Sequence, residues 1–269
     1  MSGDRHHTRF RTDGPLARLT LARPEIRNAL TDVAVLDELI SAFDEAERSA
    51  ATVLVVDAEG SAFSAGGNVK DMATASGMFA GGPEQLNENY RSSIQRLTRT
   101  LATTDLVTIA AVNGPAVGAG FDLALWCDLR IGSTTARFAH TFVDLGIIPG
   151  DGGAWLLPRV VGAQRAAELS FTGRMIDAAT ALHYGVLLEV VEPSDLARHV
   201  DELANRIASK PAHSLRLTKR LLRHARTMDL DGFLDLTAAL QAIAHGTDAH
   251  REAVTDFLGR LGGQAGTAG

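Results

Sequence analysis

The sequence has little that would indicate an extracellular or membrane-bound protein. It contains one cysteine in 269 residues, Cys127, so no disulfide can form within the chain. Cys127 follows an apolar stretch, where a reduced and buried thiol is expected. No run of eighteen apolar residues occurs, as a membrane-spanning helix would need, and the charged N-terminal region lacks the apolar segment of a secretory signal. We therefore expect a cytoplasmic protein.

Aromatic residues are also scarce, at 5% of the chain, although apolar residues of all kinds reach 45%. The core must therefore be built mainly from alanine, valine, leucine and isoleucine. The length suits one large domain, or one domain with an appendage. The formal net charge is −6, which argues against nucleic acid as the main partner. A local basic patch for a phosphorylated ligand is compatible with this total.

Several common catalytic motifs are missing from the sequence. Gly114, Gly118 and Gly120 have the spacing GxxxGxG rather than the GxGxxG of dinucleotide-binding folds. The chain has no GK pair followed by serine or threonine, as a phosphate-binding loop would have, and no GxSxG motif. Ser64 is therefore a poor candidate nucleophile. Histidines and acidic residues do not fall at metal-ligand spacing, and we predict no metal site.

The most informative feature that is present is a pair of glycine-rich turns, each located where an apolar run gives way to a predicted helix. The first occupies residues 63–72 after the run 53–56, and the second occupies residues 113–122 after the run 107–112. The first N–H groups of a helix lack partners within it, and the helix dipole adds positive potential there. Two such helix starts directed at one point would stabilise an oxygen that acquires negative charge.

The order of predicted elements indicates an α/β core followed by a helical region. Residues 1–14 are expected to be frayed, and the glycine-containing segment 73–87 is expected to be mobile or to form a pocket wall. Beyond Pro193 the pattern is helical, which favours a core of residues 1–195 and a C-terminal helical oligomerisation region of residues 196–269. The predicted strands are 16–21, 53–56, 107–112, 129–131 and 187–191. The first predicted helix opens at Asn28 or Thr31 and has Val33, Leu36, Ile40 and Phe43 on one face. Another helix follows the second glycine-rich turn and ends at about residue 127. The remaining predicted helices are 90–101, 163–171, 176–184, 197–208, 214–228, 232–245 and 248–261.

Four segments together resemble the crotonase, or enoyl-CoA hydratase/isomerase, superfamily. They are Arg23-Pro24 followed by Asn28-Ala29-Leu30, then Phe63 to Met72, Ala111 to Asp128 and Phe138 to Gly153, in the family's order and spacing. The resemblance covers nearly the whole chain. It implies an α/β, crotonase-like spiral of ββα units with a C-terminal helical region. It also implies an acyl-CoA substrate, no cofactor besides that coenzyme A thioester, and a homotrimer or homohexamer.

Carried over position by position, the resemblance implies an oxyanion hole made by the backbone N–H groups of Gly67 and Ala119. These donors would polarise the thioester carbonyl of an acyl-CoA and hold the enolate that forms from it. Loss of one such donor costs other enzymes about 3 kcal/mol of transition-state stabilisation. For the arginines of the 23–27 segment, a solvated loop stays an alternative to coenzyme A binding. The residues that fall at the family's coenzyme A contacts, some of them from a neighbouring subunit, are Arg23, Arg27, Ala65, Lys70 and Phe257, with Arg260 close by in sequence.

The chain departs from the two-carboxylate hydratases at one of their two acidic positions. Asp122 occupies the first, but the second, twenty positions later, is Phe142. Hydration needs a group that orients and deprotonates water, and a way to return a proton to the α-carbon. Phenylalanine does neither, and it makes that wall of the pocket drier. The residues that could replace the missing acid are Asp144, Asp151 and His140, and for His140 a structural role as a hydrogen-bonded histidine is the alternative.

We therefore expect an acyl-CoA enzyme of the hydratase/isomerase type, with Asp122 as the main acid/base. A single base suits a proton shift between carbons better than hydration. Two alternatives stay open: a non-catalytic acyl-CoA binder, and another crotonase-type reaction such as dehalogenation, thioester hydrolysis or decarboxylation. The expected catalytic residues are Gly67, Ala119, Asp122 and Asp151, and the expected substrate contacts include His140 and Phe142. Acyl chain length is not readable, although some apolar residues would suit a roomy pocket: Met72, Met78, Phe79 and Leu86.

Overall fold

The structure is a computed structural model that describes residues 5–265. Within this range it contains two β-sheets and twelve α-helices. The strands are β1 (Thr8–Asp13), β2 (Leu16–Leu21), β3 (Val53–Ala58), β4 (Val107–Val112), β5 (Pro115–Val117), β6 (Leu129–Ser133), β7 (Arg137–Ala139), β8 (Ile176–Asp177) and β9 (Glu189–Val191). The larger sheet has the order β1-β2-β3-β4-β6-β9, and the smaller one has the order β5-β7-β8. Only β1 with β2 and β7 with β8 are antiparallel pairs among these neighbours.

The helices alternate with the strands and then follow one another at the end of the chain. They are α1 (Val33–Arg48), α2 (Val69–Ala73), α3 (Pro83–Ser92), α4 (Ile94–Thr103), α5 (Ala119–Trp126), α6 (Gly153–Val161), α7 (Ala163–Thr172), α8 (Ala178–His183), α9 (Leu196–Ala208), α10 (Ala212–His224), α11 (Leu230–His245) and α12 (Asp248–Ala265). Three short 3-10 helices occupy Pro24–Ile26, Gly77–Phe79 and Thr141–Leu145. Within residues 5–265, no helix combines the length and the apolar character that a bilayer crossing requires.

The short apolar runs of the sequence form the centre of the larger sheet. β3 and β4 are parallel neighbours, with Val53 opposite Val107 and Val56 opposite Ala110. The first four residues of β3 are buried, because a parallel strand covered on both faces needs apolar side chains on both. The carboxyl ends of neighbouring parallel strands lie at the same edge of a sheet. The two glycine-rich turns, which follow β3 and β4, therefore start side by side.

The expectation that the N-terminal residues are frayed is wrong for residues 8–13. They form β1, which pairs with β2 along its whole length, from Thr8 opposite Leu21 to Asp13 opposite Leu16. The carboxylate of Glu38 also accepts hydrogen bonds from the backbone N–H groups of residues 6–8. An edge strand needs only one neighbour, so its polar side chains do not prevent strand formation. Residues 1–4 lie outside the described part of the chain.

Three of the predicted helices differ from those in the structure. The one predicted at 176–184 begins with the strand β8, and its helix is α8. The first helix begins at Val33, with the Asp32 carboxylate accepting from the Ala34 N–H, so neither Asn28 nor Thr31 opens it. Val33, at the start of the helix, is 46% exposed, whereas Leu36 and Phe43 are buried. The predicted helix 90–101 is divided at Ser93, which has a non-helical backbone and separates α3 from α4.

The chain divides into two compact units, one ending at Asn205 and one beginning at Arg206. The first unit contains both sheets and a continuous apolar core. Leu196, Val200 and Leu203 of α9 are buried. The packing boundary therefore falls ten residues later than the expected division between residues 195 and 196. The second unit contains α10, α11 and α12.

Candidate active site

The two glycine-rich turns are joined through Ser64. The Ser64 N–H donates to the Pro115 carbonyl at 3.1 Å, and the Val117 N–H donates to the Ser64 carbonyl at 2.9 Å. The Ser64 hydroxyl is buried, donates to the Asn28 carbonyl at 2.7 Å and accepts from the Gly66 N–H at 3.1 Å. Its contacts are therefore those of a structural residue.

Two glycines allow the turns to come this close. A Cβ on Gly66 would lie 2.3 Å from the Val117 carbonyl oxygen and 3.0 Å from the Ala119 nitrogen. A Cβ on Gly120 would lie 2.4 Å from the Ser64 carbonyl oxygen. Any side chain at either position would push the turns apart, so glycine is required by direct backbone contact.

Gly67 and Ala119 consequently line one cavity, whose volume is about 190 Å³. Among the hydrogen bonds of residues 5–265, neither of their backbone N–H groups donates to a protein acceptor. Such unpaired donors at a cavity wall are available to an oxygen of a ligand. The other residues of the wall are mostly apolar, and they include the Met72, Met78 and Phe79 anticipated as pocket residues.

The electrostatic contribution of the two helices that follow is unequal. Ala119 is the first residue of α5, and Gly118 before it has φ 51°, a conformation that favours glycine. The helix after Gly67, α2, has only five residues and is capped by Asn68, whose side chain accepts from the Lys70 N–H. Because a macrodipole builds up over successive peptide units, the positive potential expected at both turns is substantial only at Ala119.

A pair of buried carboxyl groups lies beside this cavity. Asp122 comes from the first turn of α5, and Asp151 comes from the glycine turn that precedes α6. A Cβ on Gly153 would lie 2.1 Å from an oxygen of Asp122, so a side chain there would collide with the carboxyl group. Asp151 lines the cavity together with Gly67 and Ala119, whereas Asp122 lies behind it against a small void shared by both acids.

The surroundings of this pair disfavour charge. Burial raises the pKa of Asp122 to about 6, although the Asp151 carboxyl and the Gly153 N–H limit the increase. Burial, and then the nearby Asp122 charge, raise the pKa of Asp151 well above its ordinary value. Two carboxyl groups that interact this strongly titrate as a pair, so the first proton leaves more easily than the second.

The turn that carries Asp151 is held by three side chains. The Thr98 hydroxyl donates to the Asp151 carbonyl at 2.8 Å, and the Trp126 indole N–H donates to the same oxygen at 3.3 Å. The Gln95 amide donates to the Gly150 carbonyl at 3.0 Å. Sequence reasoning missed these residues, although Gln95 and Thr98 are three apart and so share one face of α4.

His140 lies next to Asp122 of the carboxyl pair. Its Nε2 is 3.5 Å from an oxygen of Asp122, and its Nδ1 is 2.9 Å from the Ser170 hydroxyl. The side chain is fully buried, and burial lowers the pKa of the imidazole despite the nearby Asp151. His140 is not among the residues that line the described cavity, so its position suits support of Asp122 better than substrate contact.

Phe142 and Asp144 both lie on the cavity wall but differ in environment. The Phe142 ring packs edge-on against His140 and lies 3.7 Å from where a Cβ on Gly118 would be, so it forms an apolar wall next to Ala119. Asp144 is exposed at the rim. Of the three residues proposed to replace the missing acid, Asp151 alone is a buried group that faces this cavity.

The positions expected to contact coenzyme A are only partly gathered here. Ala65 lines the cavity, and its N–H donates to the Arg27 carbonyl at 2.8 Å, which places the 23–27 segment next to the first turn. Arg23 forms ion pairs with Glu25 and Asp32, 3.2 and 3.3 Å apart. The exposed Lys70 lies on α2. Phe257 belongs to the second unit, where it is 56% exposed on α12.

Comparison with known proteins gives consistent results. The sequence model of the family described as Enoyl-CoA hydratase/isomerase matches residues 11–264. The chain is 35% identical to 1,2-epoxyphenylacetyl-CoA isomerase of Escherichia coli (strain K12) over 90% of this chain and 91% of that protein. It is 32% identical to crotonyl-CoA hydratase of Syntrophomonas wolfei over 90% and 91% of the two chains. The crystal structure of enoyl-CoA hydratase from Bacillus anthracis matches with a TM-score of 0.88, at 29% identity, over 95% of this chain and 97% of that one.

Proposed function

Because the chain belongs to the enoyl-CoA hydratase/isomerase family, we propose that it moves a double bond along the acyl group of an enoyl-CoA thioester by way of an enolate. One observation carries this proposal: Gly67, Ala119 and Asp151 line a single cavity. Within the described residues, the N–H groups of the first two have no protein acceptor, and the third is a buried carboxyl. Donors for a developing oxyanion and a group that exchanges protons are what such a reaction needs.

The two N–H groups would act on the thioester oxygen. When a proton leaves the α-carbon, its electron pair moves toward the carbonyl and charge accumulates on that oxygen. Donors that are already fixed in place stabilise this charge more than they stabilise the neutral thioester, which is why they lower the barrier. Gly67 and Ala119 are fixed by the backbone contacts between the two turns.

Asp122 and Asp151 would act as one coupled pair rather than as a single base. At neutral pH the pair holds one proton and one negative charge, because two adjacent carboxyls do not both ionise. In the resting pair the charge lies on Asp122 and the proton on Asp151, because the Asp122 charge raises the pKa of Asp151. When that proton passes to Asp122, Asp151 becomes the anion, which takes a proton from the α-carbon of a 3-enoyl thioester and returns it to the γ-carbon as the double bond shifts. Since Asp151 faces the cavity, we assign the exchange with substrate to Asp151, and the adjustment of the pair's charge to Asp122.

Phe142 supports isomerisation over hydration. Isomerisation needs one proton-exchanging centre, whereas hydration needs in addition a group that positions and deprotonates water. The phenyl ring forms the wall next to Gly118 and supplies no polar atom for that purpose.

The same proposal assigns the residues that contact coenzyme A and the assembly of subunits. We assign Arg23, Arg27 and Lys70 to the phosphates of coenzyme A, since the Ala65 N–H at the cavity donates to the Arg27 carbonyl. Phe257 would reach the ligand of a neighbouring subunit in a homotrimer or homohexamer. We expect no metal and no cofactor other than the coenzyme A thioester, and a cytoplasmic location.

The test is to incubate the purified protein with 2-enoyl-CoA and 3-enoyl-CoA thioesters and to follow double-bond position and water addition. We expect interconversion of the two isomers and little hydration. Asp151→Asn should lower kcat by about 100-fold or more with coenzyme A binding retained, as is typical for loss of a proton-transfer group. Asp44→Asn, at an exposed carboxyl of α1, is the matched control and should behave as the unmodified protein.

The second candidate function is a non-catalytic acyl-CoA binder, and Phe142 is the observation that favours it. In that case a folded preparation would bind acyl-CoA but turn over neither isomer. Asp151→Asn would then leave the affinity for acyl-CoA unchanged. Efficient hydration with no isomerisation would instead contradict the proton-shift assignment while leaving an acyl-CoA enzyme.

A further inference from the structure

The cavity that contains Gly67 and Ala119 adjoins a second one of about 460 Å³, here called the apolar arm. Two residues, Ala73 and Leu86, line the apolar arm alone. The arm therefore lies between α2, the Gly77–Phe79 helix, α3 and the segment that follows Phe142. The residues that line both cavities are Val69, Met72, Phe79, Tyr90, Leu145 and Ile147.

The lining of the apolar arm favours an uncharged acyl group over a charged one. Apart from the Tyr90 hydroxyl, its side chains carry no hydrogen-bonding groups. Within the described residues no lysine or arginine lines either cavity, and the charged residues of the first cavity, Asp144 and Asp151, are both acidic. The arm is open on one side, where Val69, Ala73 and Leu145 are exposed. A carboxylate at the end of an acyl group would find no cationic partner there, whereas an apolar chain end would cover apolar surface.

The position of the arm matches the acyl side of the ligand. Ala65 marks the coenzyme side, because its N–H donates to the carbonyl of Arg27. Ala65, Gly67 and Ala119 line the first cavity but not the apolar arm. A thioester whose carbonyl lies at the two N–H groups therefore has its coenzyme toward Ala65 and its acyl chain free to enter the arm.

The volumes set a lower limit on the size of the acyl group that fills the site. An apolar protein cavity of roughly 150 Å³ is enough to hold benzene. The first cavity, at about 190 Å³, therefore accommodates the reacting carbons and a short chain by itself. A four-carbon acyl group would leave the apolar arm unoccupied.

We propose that the acyl group of the substrate is uncharged, apolar and long enough to fill the apolar arm, which means an alkyl chain of about eight carbons or more or one that ends in an aromatic ring. This proposal rests on the proposed function, because it assumes that the thioester carbonyl binds between Gly67 and Ala119. Each methylene buried in the arm should raise kcat/KM by up to about fourfold until the arm is full.

The experiment compares 3-hexenoyl-, 3-octenoyl- and 3-decenoyl-CoA as substrates. In parallel, calorimetry measures binding of butanoyl-, octanoyl- and glutaryl-CoA to the same protein. We expect kcat/KM for 3-decenoyl-CoA to exceed that for 3-hexenoyl-CoA by at least about tenfold. Octanoyl-CoA should likewise bind at least about tenfold more tightly than butanoyl-CoA, and glutaryl-CoA should bind more weakly than octanoyl-CoA.

Variants in the arm separate its contribution from that of the reacting centre. Leu86→Phe and Ala73→Phe fill the arm from two elements, and Leu86→Met is the control because it conserves volume. Either phenylalanine variant should remove most of the advantage in kcat/KM that the ten-carbon substrate has over the six-carbon substrate. The control should retain the full dependence on chain length.

The outcomes distinguish the two proposals. Turnover with equal or better rates for the six-carbon substrate would overturn the assignment of the apolar arm and leave the isomerase assignment intact. No turnover of any substrate, together with tighter binding of octanoyl-CoA than of butanoyl-CoA, would refute the proposed reaction and support the arm. Equal affinity for butanoyl- and octanoyl-CoA would overturn the arm whether or not the protein is an enzyme.

Discussion

Replacing the buried carboxyl of Asp122 with an amide should stabilise the fold at neutral pH, and this stabilisation should be smaller at acidic pH. Neither Asp122 oxygen has a hydrogen-bond partner of good geometry within the described chain, and burial raises the pKa from 3.8 to about 6. For an acid with a raised folded-state pKa, the native state loses stability as the pH rises from the unfolded pKa to the folded one. Ionised Asp122 is therefore a cost to the native protein at neutral pH.

The pKa shift gives the size of this cost. At about pH 7.5 the full difference between 3.8 and about 6 applies, which corresponds to about 3 kcal/mol of lost stability. At about pH 4.5 the folded protein keeps the carboxyl protonated and only the unfolded chain is partly ionised, so the cost is about 1 kcal/mol. The amide of Asp122→Asn adds a packing and hydrogen-bonding energy of its own. That energy does not depend on pH and cancels when the two conditions are compared. Loss of the Asp122 charge also lowers the pKa of Asp151, which increases the difference between the two pH values in the same direction.

The assay is urea unfolding of the unmodified protein, Asp122→Asn and Asp44→Asn at both pH values. We expect Asp122→Asn to increase the free energy of unfolding, relative to the unmodified protein, by at least about 2 kcal/mol more at pH 7.5 than at pH 4.5. Asp44→Asn, at an exposed site, should show a difference within about 0.5 kcal/mol. An equal effect of Asp122→Asn at the two pH values would refute the assignment of a raised pKa to Asp122.

Further substitutions and conditions test other parts of the site. Gly66→Ala places a Cβ 2.3 Å from the Val117 carbonyl oxygen at a residue with φ 76°. It should therefore destabilise the fold by about 2 kcal/mol and lower kcat by at least about tenfold. Unchanged unfolding and kinetics would show that the turns do not need glycine at this contact. Thr98→Val removes the hydroxyl that holds the Asp151 carbonyl and should lower kcat about tenfold with little change in KM, and a change confined to KM would contradict this role. The value of kcat/KM should rise about tenfold per pH unit below about pH 6 and then level off, because the carboxyl pair must lose its first proton. A kcat/KM that stays constant between pH 5 and 7 would exclude that requirement.

Much of the fold could be predicted from local sequence. The family resemblance stated from four ordered segments is confirmed, and so is the mixed α/β fold with a helical C-terminal region. The buried strands were predictable because parallel strands covered on both faces read as apolar runs, as in β3 and β4. β1 was not predictable in this way, since its pairing with β2 depends on backbone hydrogen bonds and on Glu38.

The arrangement of the site was less accessible to sequence reasoning. Asp122, His140 and Asp151 come from three different segments, and their distances depend on how α5 packs against the turn before α6. Their spacing in the chain therefore made each a candidate but did not indicate which of them faces the cavity. The structure places Asp151 at the cavity, with Asp122 behind it and His140 next to Asp122. The assignment of the main acid/base to Asp122 accordingly gives way to a proposal in which Asp151 exchanges the proton with substrate.

The most direct test of the central claim is the vibrational frequency of the thioester carbonyl in the bound ligand. A 3-enoyl-CoA labelled with ¹³C at that carbon would be bound to Asp151→Asn, in which turnover is slow, and the labelled band would be isolated by infrared difference spectroscopy. Hydrogen bonds from both Gly67 and Ala119 should polarise the carbonyl and shift its stretch to a lower frequency than in free acyl-CoA in water. A bound ligand whose carbonyl stretch matches that of the free thioester would contradict the account.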